Sequence, residues 1–279
     1  MAGNQPYQAG RHFLQIPGPT NVPDRILRAM DGPTIDHRGP AFESLALRVL
    51  VGIKGVFQTK DPVVIYPASG TGAWEAALVN TLATGDRVLM AETGQFATLW
   101  RALADRLGLD VLFLAGDWRH GVQAEQIAAA LADDKGQLIK AVCCVHNETS
   151  TGVTSDIAAV RRAMDDTGHP ALLMVDTISS LASIDYRHSE WGVDVTIGGS
   201  QKGLMLPPGL SFNAVSEKAL AAHEAGGMTR SYWDWSAMLG ANKGGAFPYT
   251  PATNLLYGLD EAISMLGEEG LQNVFQRHA

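Results

Sequence analysis

From about residue 60 onward, short apolar runs alternate with longer stretches whose apolar positions recur at helical spacing. Val63-Val64-Ile65-Tyr66, Arg87 to Ala91, Asp110 to Leu114, Ile139 to Val145, Ala171 to Asp176 and Val195 to Gly198 read as strands, being short and mostly apolar. Ala73 to Leu82, Ala97 to Leu107, Gln123 to Leu131 and Ile157 to Asp166 read as helices between them. Near-continuous apolar strands separated by amphipathic helices predict an α/β fold, a mainly parallel sheet covered on both faces. Ligands of such sheets gather at the C-terminal ends of the strands, in the loops that lead to helices.

The flanks break this rhythm. Pro17-Gly18-Pro19-Thr20 and Gly32-Pro33 mark the first 60 residues as an extended arm rather than a packed βα unit. Residues 61–254 form the main unit, although 226–254 is loop-like, with Gly226-Gly227, Gly244-Gly245, Pro248 and Pro251. A helical pattern resumes from Leu255 towards Gly267.

Composition narrows the class. With 46% hydrophobic residues the chain can build a sizeable core, which excludes wholesale disorder. An excess of 29 Asp+Glu over 21 Lys+Arg argues against duplex nucleic acid or an anionic membrane as the main partner. No apolar run is long enough to span a bilayer, and Met1 to Gln5 lacks the basic start and apolar run of a signal peptide, so a cytoplasmic location is expected. Two adjacent cysteines, Cys143 and Cys144, lie in an apolar strand where neighbours point to opposite faces; they read as core rather than as a disulfide. The eight histidines show no metal-ligand spacing, and only His146, at a strand end, invites a functional reading.

Three features could carry chemistry. Ser69-Gly70-Thr71-Gly72-Ala73 joins a strand to a helix; glycines and free first-turn N–H groups suit an anion, although the same residues serve as an ordinary glycine-bearing turn. It lacks the Lys-Ser/Thr ending of a P-loop and the third glycine of a dinucleotide fingerprint. Asp176 ends the apolar run Leu172-Leu173-Met174-Val175, where a buried carboxylate needs a cationic partner, unless it merely caps the turn into Thr177. Lys202 alone among the lysines sits in a small-residue loop after a buried strand, which would make it a usable amine nucleophile; a snorkelling surface lysine is the plainer alternative. Together they are the three grips that pyridoxal phosphate requires: a phosphate cradle, a carboxylate for the pyridinium nitrogen and a lysine for the Schiff base.

At these residues the chain resembles the class V aminotransferases of the type I pyridoxal-phosphate fold, most closely the serine/alanine–glyoxylate group. The resemblance rests on Pro17-Gly18-Pro19-Thr20-Asn21-Val22-Pro23, Asp36-His37-Arg38-Gly39-Pro40, Ser69 to Ala77, Gly94-Gln95-Phe96, His146-Asn147-Glu148-Thr149-Ser150-Thr151-Gly152-Val153, Val175-Asp176, Gly199 to Leu204 and Phe247-Pro248-Tyr249-Thr250-Pro251. It implies a seven-stranded, mainly parallel sheet and makes 61–254 the cofactor-binding large domain, with 1–60 an N-terminal arm and interface segment and 255–279 the start of a helix linking to a smaller domain. Lys202 would be the Schiff-base lysine and Asp176 the pyridinium partner, the two catalytic residues. Thr71, Gly72 and Ala73, with Gln201, would hold the phosphate. Phe96 would stack on the cofactor ring and Ile178 pack on its other face, Thr149 would lie beside the phenolic oxygen, and Thr250 would reach the phosphate of a partner subunit in a homodimer.

The arm at Pro17-Gly18-Pro19 would border the substrate. Trp74 reads as core, and Asp36-His37-Arg38 as a salt-linked structural turn. The implied reaction moves an amino group from a small amino acid, serine or alanine, to the 2-oxo acid glyoxylate. Aspartate as donor, a lyase outcome and a cofactor-binding dimerisation module without turnover stay open. Cysteine desulfurase chemistry does not fit, because no cysteine follows Lys202. Family members continue into a smaller C-terminal α/β domain that carries the arginine for the substrate carboxylate. That domain is expected to be missing from this chain, and Arg277 reads as a poor replacement.

Overall fold

A computed structural model describes residues 13–279, so the readings of Met1 to Gln5 and of His12 lie outside the described residues. Seven strands form one sheet in the order β1-β7-β6-β5-β4-β2-β3. They are β1 (Val63–Tyr66), β2 (Arg87–Ala91), β3 (Asp110–Leu114), β4 (Ile139–Val145), β5 (Leu172–Asp176), β6 (Val195–Gly199) and β7 (Ser211–Val215). The ladders from β3 through β2, β4 and β5 to β6 are parallel, whereas β7 runs antiparallel to both β6 and β1.

Ten helices accompany the sheet among the described residues: α1 (Asp24–Met30), α2 (Pro40–Val56), α3 (Gly70–Thr81), α4 (Gln95–Arg106), α5 (Ala124–Asp133), α6 (Ile157–Thr167), α7 (Glu217–Glu224), α8 (Trp235–Asn242), α9 (Thr253–Glu269) and α10 (Leu271–His278). Three apolar clusters hold these layers: α3, α4 and α8 with one side of the sheet, α5 and α6 with the other, and α2 with α9 around β1 and β7.

Six strands follow the apolar runs closely; β7 is the one that local pattern does not predict. Its Ser211 and Asn213 are polar yet fully buried, and Asn213 offsets that cost by donating from Nδ2 to the Ala73 carbonyl at 3.1 Å. The antiparallel return from β6 to β7 makes residues 200–210 a tight connection at the C-terminal end of β6. Leu204 and Leu206 anchor it in the core, and Ser200 braces it through its N–H to Leu210 O and its hydroxyl to Pro207 O.

The first 60 residues are less extended than the Pro-Gly signals suggest. Residues 13–23 form no helix or strand, but α2 buries Phe42, Leu45, Ala46, Val49, Ile53 and Val56 in the core. Its i, i+3, i+4 apolar stripe was masked by the prolines and glycines around it. Arg25 to Glu261 and Glu268, and Arg48 to Asp260, tie α1 and α2 to α9. Likewise α8 interrupts the loop-like 226–254 stretch: the Asp234 side chain caps it and Trp235 and Met238 are buried.

Candidate active site

Three adjacent features of the sheet's C-terminal edge converge on one pocket of about 300 Å³. At the end of β5, Asp176 is 2% exposed. Its Oδ2 accepts the Trp74 indole N–H at 2.7 Å and its Oδ1 the Ile178 backbone N–H at 2.7 Å. Burial pushes its carboxyl up to about 7; those two hydrogen bonds pull the other way, the charge of Glu148 adds to the rise, and Lys202 opposes it. Asp176 forms no ion pair among the described residues, so a buried acid faces the pocket without a cation of its own.

Lys202 comes from the β6–β7 connection. Half-burial lowers its ammonium pKa, and the Asp176 charge partly restores it. Its Nζ donates to the Pro17 carbonyl, and Thr20 N–H donates to Gln201 O at 2.9 Å, so the arm lies directly against the lysine loop. Gly18 is needed there: its φ is +125°, and a Cβ would lie 2.5 Å from Lys202 Cε.

The third contribution is the start of α3. Ser69 precedes it without a side-chain cap, leaving first-turn N–H groups for another acceptor, and Ser69, Gly70 and Thr71 line the pocket. Gly70 lets Ile178 sit close, since a Cβ there would collide with Ile178 Cδ1. Trp74, Phe96 and Ile178 supply apolar walls, and Thr149, whose hydroxyl pairs with that of Ser179, a polar one.

Of the residues picked from the sequence, Lys202, Asp176, Thr71, Phe96, Thr149, Ile178 and Gln201 share this pocket. Gly72 and Ala73 do not line it: Gly72 packs beneath Trp233, where a Cβ would lie 2.8 Å from the ring, and Ala73 is wholly buried. Thr250 is exposed and outside the pocket of its own chain. His146 is closed off from it, bonded through Nδ1 to Ser180 Oγ at 2.8 Å and packed on Tyr186 and Trp191. Cys143 and Cys144 are buried and unpaired with each other. Asp36-His37-Arg38 is a turn held by Asp36 Oδ1 accepting Arg38 N–H at 2.9 Å, not by the expected salt link.

A family model described as aminotransferase class-V matches residues 13–279. The chain belongs to the class-V aminotransferase family. It is 52% identical over 276 residues to a serine–glyoxylate aminotransferase of Methylorubrum extorquens, covering 97% of this chain and 69% of that one. It is 47% identical over 264 residues to an L-aspartate–glyoxylate aminotransferase of Paracoccus denitrificans, covering 94% and 67%. The solved alanine–glyoxylate aminotransferase of Nostoc sp. superposes with a TM-score of 0.88 at 31% identity over 99% of this chain and 73% of that one. The chain thus spans about two thirds of the length of the curated relatives it matches.

Class-V aminotransferases use pyridoxal phosphate, and the pocket fits that cofactor. The unpaired buried Asp176 suits a protonated ring nitrogen, the uncapped start of α3 suits a phosphate, and Trp74, Phe96 and Ile178 suit the faces of an aromatic ring. Two residues that bear on this pocket carry roles that the sequence reading did not give them. Trp74 is buried as a core residue would be, yet its N–H fixes Asp176; the signal was an indole on an apolar helix, because a buried indole N–H seeks an acceptor. Glu148 sits within a motif of the resemblance, and being fully buried it needed a role.

Proposed function

We propose that this protein transfers the amino group of a small L-amino acid, serine foremost, to glyoxylate, giving glycine and a 2-oxo acid. The observation that carries this reading is the convergence of Lys202, Asp176 and the open start of α3 on one pocket of about 300 Å³. Serine as donor draws on the 52% identity to the Methylorubrum enzyme; the 47% identity to the aspartate-using Paracoccus enzyme keeps aspartate as the second reading.

Bound in this pocket, pyridoxal phosphate supplies an aldehyde to hold the amino group and a conjugated ring that takes up the electron pair released at the substrate Cα. The chain's own residues do the rest. Asp176, with both oxygens oriented by Trp74 and Ile178, would hold a proton at the ring nitrogen. Lys202, its ammonium destabilised by burial, would offer a free amine to hold the aldehyde and would serve as the base for the proton at the substrate Cα. Holding lysine and substrate in one pocket would make that transfer effectively intramolecular. Thr71 and the open N–H groups at the start of α3, aided by Gln201, would hold the phosphate; Phe96 and Ile178 would flank the ring and keep water from it.

The protein acts as a homodimer, with Thr250 reaching the partner's phosphate site; its exposure outside its own pocket supports this. None of the described helices is long and apolar enough to cross a membrane, and a cytoplasmic location agrees with two buried free thiols. The test is glycine formation from glyoxylate with serine, alanine or aspartate as donor, in wild type and Lys202→Ala. Serine should be the best donor and Lys202→Ala inert. Faster turnover with aspartate would reassign the donor, and an active Lys202→Ala protein would refute the transaminase reading.

A further inference from the structure

Glu148 is fully buried and has no cationic partner among the described residues, yet it is not an orphan charge. Its Oε1 accepts the Phe96 N–H at 3.2 Å, the Ser150 N–H at 3.2 Å and the Ser150 hydroxyl at 2.7 Å, and its Oε2 accepts the Ala97 N–H at 3.2 Å. The Ser150 hydroxyl in turn accepts the Gln95 N–H at 2.9 Å. So the first three N–H groups of α4 are all satisfied by the segment 148–150, which follows a different strand. Helix α4 has no cap of its own, because its N-cap residue is Gly94. Glycine is required there: a Cβ at Gly94 would lie 2.5 Å from both Glu148 Cγ and Ser150 Oγ. A carboxylate at a helix start also gains from the helix dipole, which offsets part of its burial.

The consequence lies in what each end of this clamp carries. Phe96, on the α4 side, and Thr149, between Glu148 and Ser150, both line the cofactor pocket. We propose that Glu148 is a positioning residue that fixes the Phe96 ring and the Thr149 hydroxyl relative to one another, holding the stacking face and the polar edge of the cofactor pocket in register. The inference rests on the reading of Phe96 as the stacking ring. It assigns the buried carboxylate a positioning task in cofactor retention rather than a proton-transfer one.

The rate at which the holoenzyme loses pyridoxal phosphate, read together with the circular dichroism of the bound cofactor, tests this. Glu148→Gln presents an amide N–H₂ to N–H donors and should speed cofactor loss roughly three- to tenfold, the worth of one well-placed aromatic contact. Phe96→Leu should do the same, and the double variant should be no worse than either single one, since both remove the same contact. Ser150→Ala, at an exposed position, should give a smaller change in the same direction, and decides the matter if Glu148→Gln does not fold. A purely structural glutamate would lower the melting temperature and leave the cofactor dichroism unchanged. Wild-type retention in both Glu148→Gln and Ser150→Ala, with Phe96→Leu impaired, overturns the inference alone, as do fully additive effects. Wild-type retention in Phe96→Leu overturns the stacking reading and the inference with it.

Discussion

Asp176 and His146 end, or directly follow, neighbouring strands, and both are buried titratable groups at the same edge of the sheet. Burial pushes each toward its neutral form: the Asp176 carboxyl up to about 7, the His146 imidazole down to about 4. Yet one belongs to the site and the other does not. His146 has its Nδ1 bonded to Ser180 and its ring packed on Tyr186 and Trp191, and it does not line the pocket. Asp176 is equally buried by protein, but it lines the pocket together with Lys202 and lacks an ion-pair partner among the described residues. A perturbed titratable group marks function only when it also has an unfilled side.

The widest separation between the two should appear on replacing each. Asp176→Ala should lower turnover by roughly two to three orders of magnitude, because ring protonation loses its support, and steady-state kinetics with saturating cofactor would check this. Trp74→Phe removes one of the two donors that orient Asp176 and should lower turnover about tenfold, while Trp74→His, which can keep an N–H, should recover part of the loss.

Stability against pH separates the two groups by sign. The folded-state pKa of Asp176 lies above its ordinary 3.8, so its contribution is present below about pH 4 and lost as pH rises through about 7, at up to about 1.4 kcal/mol per pH unit. The folded-state pKa of His146 lies below its ordinary 6.5, so its contribution is present above about pH 6.5 and lost as pH falls through about 4. Denaturant titrations of cofactor-stripped protein should therefore show Asp176→Asn gaining on wild type as pH rises between about 4 and 7, and His146→Gln gaining as it falls. Parallel curves for all three proteins would contradict the assigned shifts. The smallest effect belongs to His146→Gln turnover, expected within about threefold of wild type, with about 1 kcal/mol of stability lost with the Ser180 bond.

Much of this was legible in the sequence. Six of the seven strands announced themselves as short, mostly apolar runs, continuous where the strand is buried on both faces, and the strand-end rule located Asp176 and Lys202. What stayed hidden was non-local. Strand β7 carries polar residues whose partner, the Ala73 carbonyl, is far away in the chain. Helix α2 has an apolar stripe that matters only against β1 and α9. The reading of Trp74 as core stopped at its burial, since its acceptor is Asp176, 102 residues distant. Glu148 caps a helix that begins 53 positions earlier at Gln95.

The central claim is that Lys202 is the amine that holds the cofactor, and one measurement addresses it without depending on the substrate. Protein loaded with pyridoxal phosphate is reduced with borohydride, digested, and the pyridoxyl group located by mass spectrometry. The predicted result is a single modified site at Lys202, lost in Lys202→Ala. A pyridoxyl group fixed to another lysine, or to none, would contradict the account.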